Sequence, residues 1–194
     1  MILEPVVLEG RFVTLRPLRP EDTPHLAAVS DPSLWQWHPQ WNVHNEKDMK
    51  GFVAQAVANT AGGTELAFTV LDKPSGRIVG TTRFMNVDSA NLRVEIGATW
   101  YAQDVQGTKV NPESKYLLLK HAFERWDCRR VEFKTDSLNA RSRRAILKLG
   151  AKEEGTLRNH MITYSGRLRH TVYFSVIDSE WPAVKLGLET RLDG

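Results

Sequence analysis

Apolar and polar residues alternate from Leu8 to Leu18, with Phe12, Thr14 and Arg16 opposite Arg11, Val13 and Leu15. That period of two predicts a first strand. Pro20-Glu21-Asp22 opens a helix reaching about Val29, and the stretch from Asp31 to His44 is irregular and carries Trp35, Trp37 and Trp41. Asn45, followed by Asp48 at the third position, caps a second helix that runs to about Asn59 and ends at Ala61-Gly62-Gly63. Glu65–Asp72 and Arg77–Asn86 read as strands joined by the turn Lys73-Pro74-Ser75-Gly76, and Asn91–Trp100 as the next strand. A central helix is predicted over Asn111–Trp126, a short strand over Arg130–Thr135 and a helix over Ala140–Leu149 closed by Gly150. Lys152–Thr163 and Arg167–Ile177 form a last hairpin around Tyr164-Ser165-Gly166, and Ser179–Leu192 a terminal helix with Pro182 early in it. Hairpin strands followed by strand–helix–strand–helix argue for one mixed sheet with helices on both faces. No repeat, linker or low-complexity stretch divides the 194 residues, so a single domain spanning 1–194 is expected.

The most informative segment is VEIGATWYAQDVQGTKVNPESK, from Val94 to Lys115. It reads as a strand, an irregular loop around Gln106-Gly107-Thr108-Lys109-Val110, and a helix start with Asn111 as N-cap and Pro112 at the first helical position. A strand end that delivers free backbone N–H groups to a helix N-terminus favours anions, because the unpaired amides and the helix dipole act in the same direction. The sequence is not a P-loop, since it lacks the upstream glycine and the Lys-Ser/Thr end.

At these residues the chain resembles the GNAT family of acyl-CoA-dependent N-acyltransferases, and within it the branch of ribosomal-protein N-terminal acetyltransferases of the RimJ/RimL type. The matching features are Glu95-Ile96-Gly97 at the strand end, Gln106 opening a Gln/Arg-x-x-Gly-x-Gly/Ala-like loop, and Asn139-Ala140-Arg141-Ser142 followed by Leu147-Lys148-Leu149-Gly150-Ala151. They recur in the family's order, and the likeness covers nearly the whole chain. Lys109 and Asn111 stand where the loop pattern has small residues. The resemblance implies an α+β, three-layer α/β/α fold on one mixed, largely antiparallel sheet of about seven strands. It also implies acetyl-CoA as cosubstrate, held by backbone at Ile96, Gly97 and Thr99, by the loop Gln106, Gly107, Thr108, Lys109, Val110 and Asn111, and by Asn139.

Acyl transfer from a thioester to an amine requires that the donor be held, the amine deprotonated, the oxyanion stabilised and the departing thiolate protonated. Alternation places Leu92, Val94, Ile96 and Ala98 on one strand face and Arg93, Glu95, Gly97 and Thr99 on the other. Glu95 is thereby the candidate base, acting through water as relatives do; the alternative is a structural ion pair with Arg83 or Arg93. Backbone N–H groups after Gly97, at Thr99 and its neighbours, are the implied oxyanion donors. Ser142 is the implied group beside the leaving sulfur; a thiolate with a pKa near ~8.5 needs little help, so it orients rather than donates. Asn139 is equally well explained as the N-cap of the helix that Ser142 enters. Lys109 has two readings: its ammonium reaches a phosphate, or its Cβ crowds the loop. Trp35, Trp37 and Arg83 are assigned to the acceptor side, although the same tryptophans would serve equally as a plug for the core.

Composition narrows the rest. Lys and Arg number 26 against 23 Asp and Glu, a net charge of +3, and no basic stripe interleaves with aromatics, so no nucleic-acid partner is expected. No apolar run has membrane-spanning length and no signal-peptide pattern opens the chain, so no membrane partner is expected. The single cysteine, Cys128, forms no internal disulfide and is consistent with a reducing, cytoplasmic setting. The histidines show no metal spacing, so no metal is expected. The sequence therefore points to a cytoplasmic acetyl-CoA-dependent N-acetyltransferase acting on a small-molecule amine or a protein N-terminus. A non-catalytic CoA- or nucleotide-binding sensor on the same fold is the alternative. A homodimer is compatible with the sequence, though no residue pattern demands it.

Overall fold

The computed structural model describes residues 3–194. Eight strands form one sheet: β1 (Leu8–Glu9), β2 (Val13–Pro17), β3 (Leu66–Asp72), β4 (Arg77–Asp88), β5 (Arg93–Tyr101), β6 (Arg130–Asp136), β7 (Lys152–Ile162) and β8 (Leu168–Ile177), in the order β1-β2-β3-β4-β5-β6-β8-β7. Every neighbouring pair is antiparallel except β5 and β6. The predicted α+β architecture is therefore present, with one strand beyond the expected count. The extra strand arises because the alternating stretch after Leu8 breaks in two. At the break the Glu113 carboxylate accepts hydrogen bonds from the amides of Arg11, Phe12 and Val13 at 2.8, 2.6 and 2.6 Å. Gly10 leaves room for that carboxylate, since a Cβ there would lie 2.5 Å from its Cδ.

Five helices cover the sheet. α1 (Thr23–Val29) and α2 (Glu46–Ala61) lie on one face, where Leu26, Phe52, Met49 and Trp35 pack with Trp100 of β5. α3 (Val110–Glu124), α4 (Ala140–Leu147) and α5 (Trp181–Asp193) lie on the other, where Leu118, Leu119, Ile146 and Leu188 meet Phe68, Phe84, Val94 and Val131. The predicted Asn45 cap is present, its side chain accepting from the Asp48 amide at 3.0 Å. Among the described residues no helix is long and apolar enough to cross a membrane.

Two departures from regular pairing shape the centre of the sheet. β5 and β6 pair only through Arg93↔Arg130, Val94↔Val131 and Glu95↔Glu132. Beyond Glu95 the two strands part. On its other edge β5 carries a bulge: Thr81 pairs with Trp100 and Arg83 with Gly97, so Ala98 and Thr99 together face Thr82. Ala98 takes a left-handed φ of 45° at this point. Gly80 sits against the bulge, where a Cβ would come within 2.1 Å of the Trp100 carbonyl oxygen. The extra residue inverts the alternation of side chains. Thr99, expected on the face of Glu95, instead turns toward α3.

Candidate active site

Where β5 and β6 part, a cleft runs through the sheet. On the α4 side it is a cavity of ≈ 280 Å³ between Ile96–Tyr101 of β5, Phe133 of β6, and Ser142, Ala145 and Ile146 of α4. On the α1/α2 side it widens into ≈ 430 Å³ bounded by Trp37, His38, Arg83, Glu95 and Arg169. Gly97, Ala98, Thr99, Trp100, Asn139 and Ser142 line both parts, so the split in the sheet joins them.

The loop after β5 closes one end of the cleft. Gln106 donates from Nε2 to the Tyr101 carbonyl at 3.1 Å and accepts at Oε1 from Arg141, tying the loop to β5 and α4. Gly107 has φ 82°, a conformation that costs glycine nothing. The amides of Gly107, Lys109 and Asn111 make no hydrogen bond with any described residue, whereas those of Thr108 and Val110 are taken by the Val105 carbonyl and the Thr108 hydroxyl. Gln106, Gly107 and Asn111 line the cleft. Val110, whose backbone was expected at the ligand, opens α3 with its side chain buried in the core and its amide taken by the Thr108 hydroxyl. The helix also starts earlier than expected: Lys109 occupies the N-cap position, and Asn111 and Pro112 lie within the first turn. The Glu113 amide is bonded to the Lys109 carbonyl at 3.0 Å.

Lys109 neither crowds this loop nor reaches across it. Its Nζ donates to the carbonyls of Arg191 and Leu192 at 2.8 and 3.2 Å, capping the C-terminus of α5. The helix macrodipole favours a cation there. The residue that departs most from the family's loop pattern is thus accounted for by a contact with another helix.

Glu95 is 5% exposed and faces the wider cavity. Its partners are neither Arg83 nor Arg93. Asn86 donates to Oε2 at 2.6 Å and Lys134 Nζ lies 2.7 Å from the same oxygen, while Arg83 pairs with Glu65 at 2.8 Å and Arg93 with Asp88 and Glu132. Burial works against the Lys134 ammonium, yet the Glu95 carboxylate and Tyr173 hold its pKa above the ordinary lysine value. Oε1 of Glu95 makes no hydrogen bond with a described residue and points along the strand edge, where a Cβ on Gly97 would meet it at 3.1 Å and Met85 Sδ at 2.7 Å. Glycine at 97 therefore keeps that oxygen open to the split.

On the α4 side, Asn139 is the N-cap, accepting from the Ser142 amide at 3.0 Å. Its side-chain nitrogen and the Ser142 hydroxyl make no hydrogen bond with a described residue, and both residues line the cleft. Ile96 is buried against α3 and lines the same cavity. Thr108 turns back to the Val105 carbonyl at 2.7 Å and is not at the cleft. Trp35 is 1% exposed, packs on Phe52 and Trp100 and donates to Ser30. It is chiefly a core residue. Trp37 borders both cavities.

Sequence reasoning missed four groups. Lys115 of α3 is 5% exposed and has no carboxylate partner among the described residues; its Nζ donates to Thr99 Oγ1 at 2.6 Å and Thr82 Oγ1 at 3.1 Å. It thereby clasps the two strands at the bulge, and burial lowers its pKa to about 7. Lys134 is the partner of Glu95. His38 accepts from the amides of Gln40 and Trp41 at Nδ1, so its proton sits on Nε2. Burial, followed by the charges of Arg83 and Arg169, holds its pKa at about 3. Arg169 is 6% exposed and lines the wider cavity. In sequence, Lys115 was visible as a lysine on a stripe with Leu118, Leu119 and Ala122; nothing comparable marked Arg169.

A central sheet split beside a bulged strand, with an anion-receptive loop and helix start at one end and a buried carboxylate at the other, defines an acyl-transferase class of site. The comparisons agree: residues 13–152 match the acetyltransferase (GNAT) domain family, and the chain belongs to it. The fold superposes on a GCN5-related N-acetyltransferase from Brucella melitensis with a TM-score of 0.91 and 31% identity, covering 97% of this chain and 86% of that one. The chain is 26% identical over 173 residues to the uncharacterized N-acetyltransferase p20 of Bacillus licheniformis, covering 87% of this chain and 94% of p20. YdaF of Bacillus subtilis (strain 168), provisionally named a ribosomal N-acetyltransferase, is 29% identical over 110 residues, and that match spans 57% of this chain and 59% of YdaF. The RimJ of Mycobacterium smegmatis, solved with CoA-disulfide, shares the fold with a TM-score of 0.82 at 21% identity, covering 98% of this chain and 96% of that one.

Proposed function

We propose that the protein is an acetyl-CoA-dependent N-acetyltransferase that moves an acetyl group to a primary amine by direct attack. The observation that carries this reading is the continuity of the cleft: one split in the sheet leads from the free amides of Gly107 and Asn111 to the open oxygen of Glu95. The amides of Gly107, Lys109 and Asn111 would hold the pyrophosphate, and the unpaired edge of Ile96–Thr99 and the Asn139 amide the pantetheine arm. The acceptor nitrogen, having lost a proton through water to Glu95, forms a bond to the thioester carbonyl carbon. Backbone N–H groups at the bulge stabilise the resulting oxyanion. Collapse breaks the carbon–sulfur bond, and the CoA thiolate departs beside Ser142 and takes up a proton. The products are an N-acetylated amine and CoA.

An α-amine, with a pKa near ~8, is the less demanding acceptor, and the name carried by YdaF supports a protein acceptor. The test is thiol release from acetyl-CoA with a panel of peptides and small amines, with the acetylated product identified by mass. Amine-dependent release with a mass gain on the α-nitrogen is expected. Saturable acetyl-CoA binding with no release for any amine would contradict the reading.

A further inference from the structure

The wider half of the cleft holds more positive charge than its own acids neutralise. Its two carboxylates are each taken, Glu65 by Arg83 at 2.8 Å and Glu95 by Lys134 at 2.7 Å. Arg169 has no such partner. Its guanidinium makes no hydrogen bond or ion pair with any described residue, and its buried Nε is left without an acceptor. Asp136, on the neighbouring strand, is engaged by Arg167. Arg83 is only half satisfied: Nη1 meets Glu65 while Nε and Nη2 are buried and unpaired. Both arginines are 6% exposed and line the same cavity. His38 between them presents only an N–H to the space, since its Nδ1 is occupied by backbone amides.

Burying a guanidinium with unmatched N–H groups is costly, and an anion relieves that cost more strongly than water or a neutral oxygen does. A fork of planar N–H donors matches a carboxylate in particular. From this we infer that the acceptor is a primary amine carrying a carboxylate, and that Arg169, beside the unpaired edge of Arg83, seats that carboxylate while the amine faces Glu95. The inference rests on the acetyltransferase reading and narrows it. The carboxylate belongs either to a free amino acid or to an acidic side chain at the start of a peptide.

Product-like ligands test the subsite without requiring turnover. Into the full chain saturated with CoA, calorimetry would titrate N-acetylglycine against N-acetylglycinamide, and an N-acetyl-Asp peptide amide against its Asn twin. In at least one pair the acid is expected to bind about tenfold or more tightly than its neutral twin. Arg169→Gln should abolish that preference, and Arg169→Lys, which keeps the charge without the fork, should retain part of it. The pair that shows the preference identifies the source of the carboxylate. Equal binding, or no binding, in both pairs on the unaltered protein would overturn the inference whatever the variants do. Thiol release with the matched free amines separates this from the reading beneath it. Acids bound through Arg169 with no release would leave the subsite standing and refute the enzyme. Release as fast with the neutral amines as with the acids would do the reverse.

Discussion

The two halves of the cleft are built from different material. The half toward α4 is made of backbone: a strand edge left unpaired after Glu95, a bulge at Ala98, and loop amides at Gly107, Lys109 and Asn111. The half toward α1 and α2 is made of buried charge drawn from four strands, with Arg83, Glu95, Lys134 and Arg169 enclosed by Trp37, His38 and Phe52. Backbone recognises what every member of a family must hold, a common phosphorylated donor, and tolerates side-chain change provided the chain path survives. Side chains recognise what distinguishes one member from another. Specificity should therefore be mutable on one side without disturbing binding on the other.

The sharpest break of that comparison is Glu95→Gln. It should lower kcat by about 10²- to 10⁴-fold while leaving the acetyl-CoA Kd within about twofold, as steady-state kinetics and calorimetry would read. A parallel loss of donor affinity would mean the halves are not separable at Glu95.

Next in size is Lys115, which clasps β4 and β5 at the bulge. Its folded pKa near 7 lies below the unfolded value of ~10.4, so between those limits the unfolded chain binds the extra proton. The destabilising cost of the buried ammonium is full below about pH 7 and is relieved as pH rises toward about 10. Relative to wild type, Lys115→Met should gain stability at pH 6 and lose that advantage by pH 9.5, by on the order of a few kcal/mol, in urea unfolding. His38 acts at lower pH, since its pKa near 3 lies below the ordinary value of 6.5. Stability should fall as pH drops from 6.5 toward 3, and a variant without His38 should not show that part of the loss.

Smaller effects belong to the backbone half. Lys109→Met removes the cap on α5 and should cost about 0.5–1.5 kcal/mol of stability, read as a lowered melting temperature, with acetyl-CoA affinity unchanged. Smallest is Ser142→Ala. Because a CoA thiolate is stable enough to leave with little protonation, kcat should fall by no more than about threefold.

The same division governs what could be read from the chain. Part of the backbone half was legible: the loop opened by Gln106-Gly107 and the Asn139 cap lie where the pattern put them, because turns and caps have local signatures, whereas Glu95-Ile96-Gly97 lies inside β5 rather than at its end. Within it, two features escaped. The residue that takes the left-handed turn at the bulge is Ala98 rather than a glycine, so alternation put Thr99 on the wrong face, and the partner of Lys109 lies about eighty residues away in the chain. The side-chain half was largely illegible. At the start of β8 the rule of apolar inward and polar outward is inverted, with Leu168 53% exposed and Arg169 buried, because Arg169 meets a polar cavity rather than a core. The ion pairs were also misassigned: Glu95 with Arg83 or Arg93 follows from adjacent sequence and strands, whereas Lys134 reaches it across the parallel pair just where that pairing ends.

The most direct test of the division is calorimetric titration of acetyl-CoA into wild type, Gln106→Ala and Arg169→Gln side by side. Saturable binding by wild type is expected, weakened about tenfold by Gln106→Ala, which frees the loop from β5 and α4, and unchanged by Arg169→Gln. No binding by wild type, or an equal loss in both variants, would contradict a donor site made of backbone and separate from the charged half of the cleft.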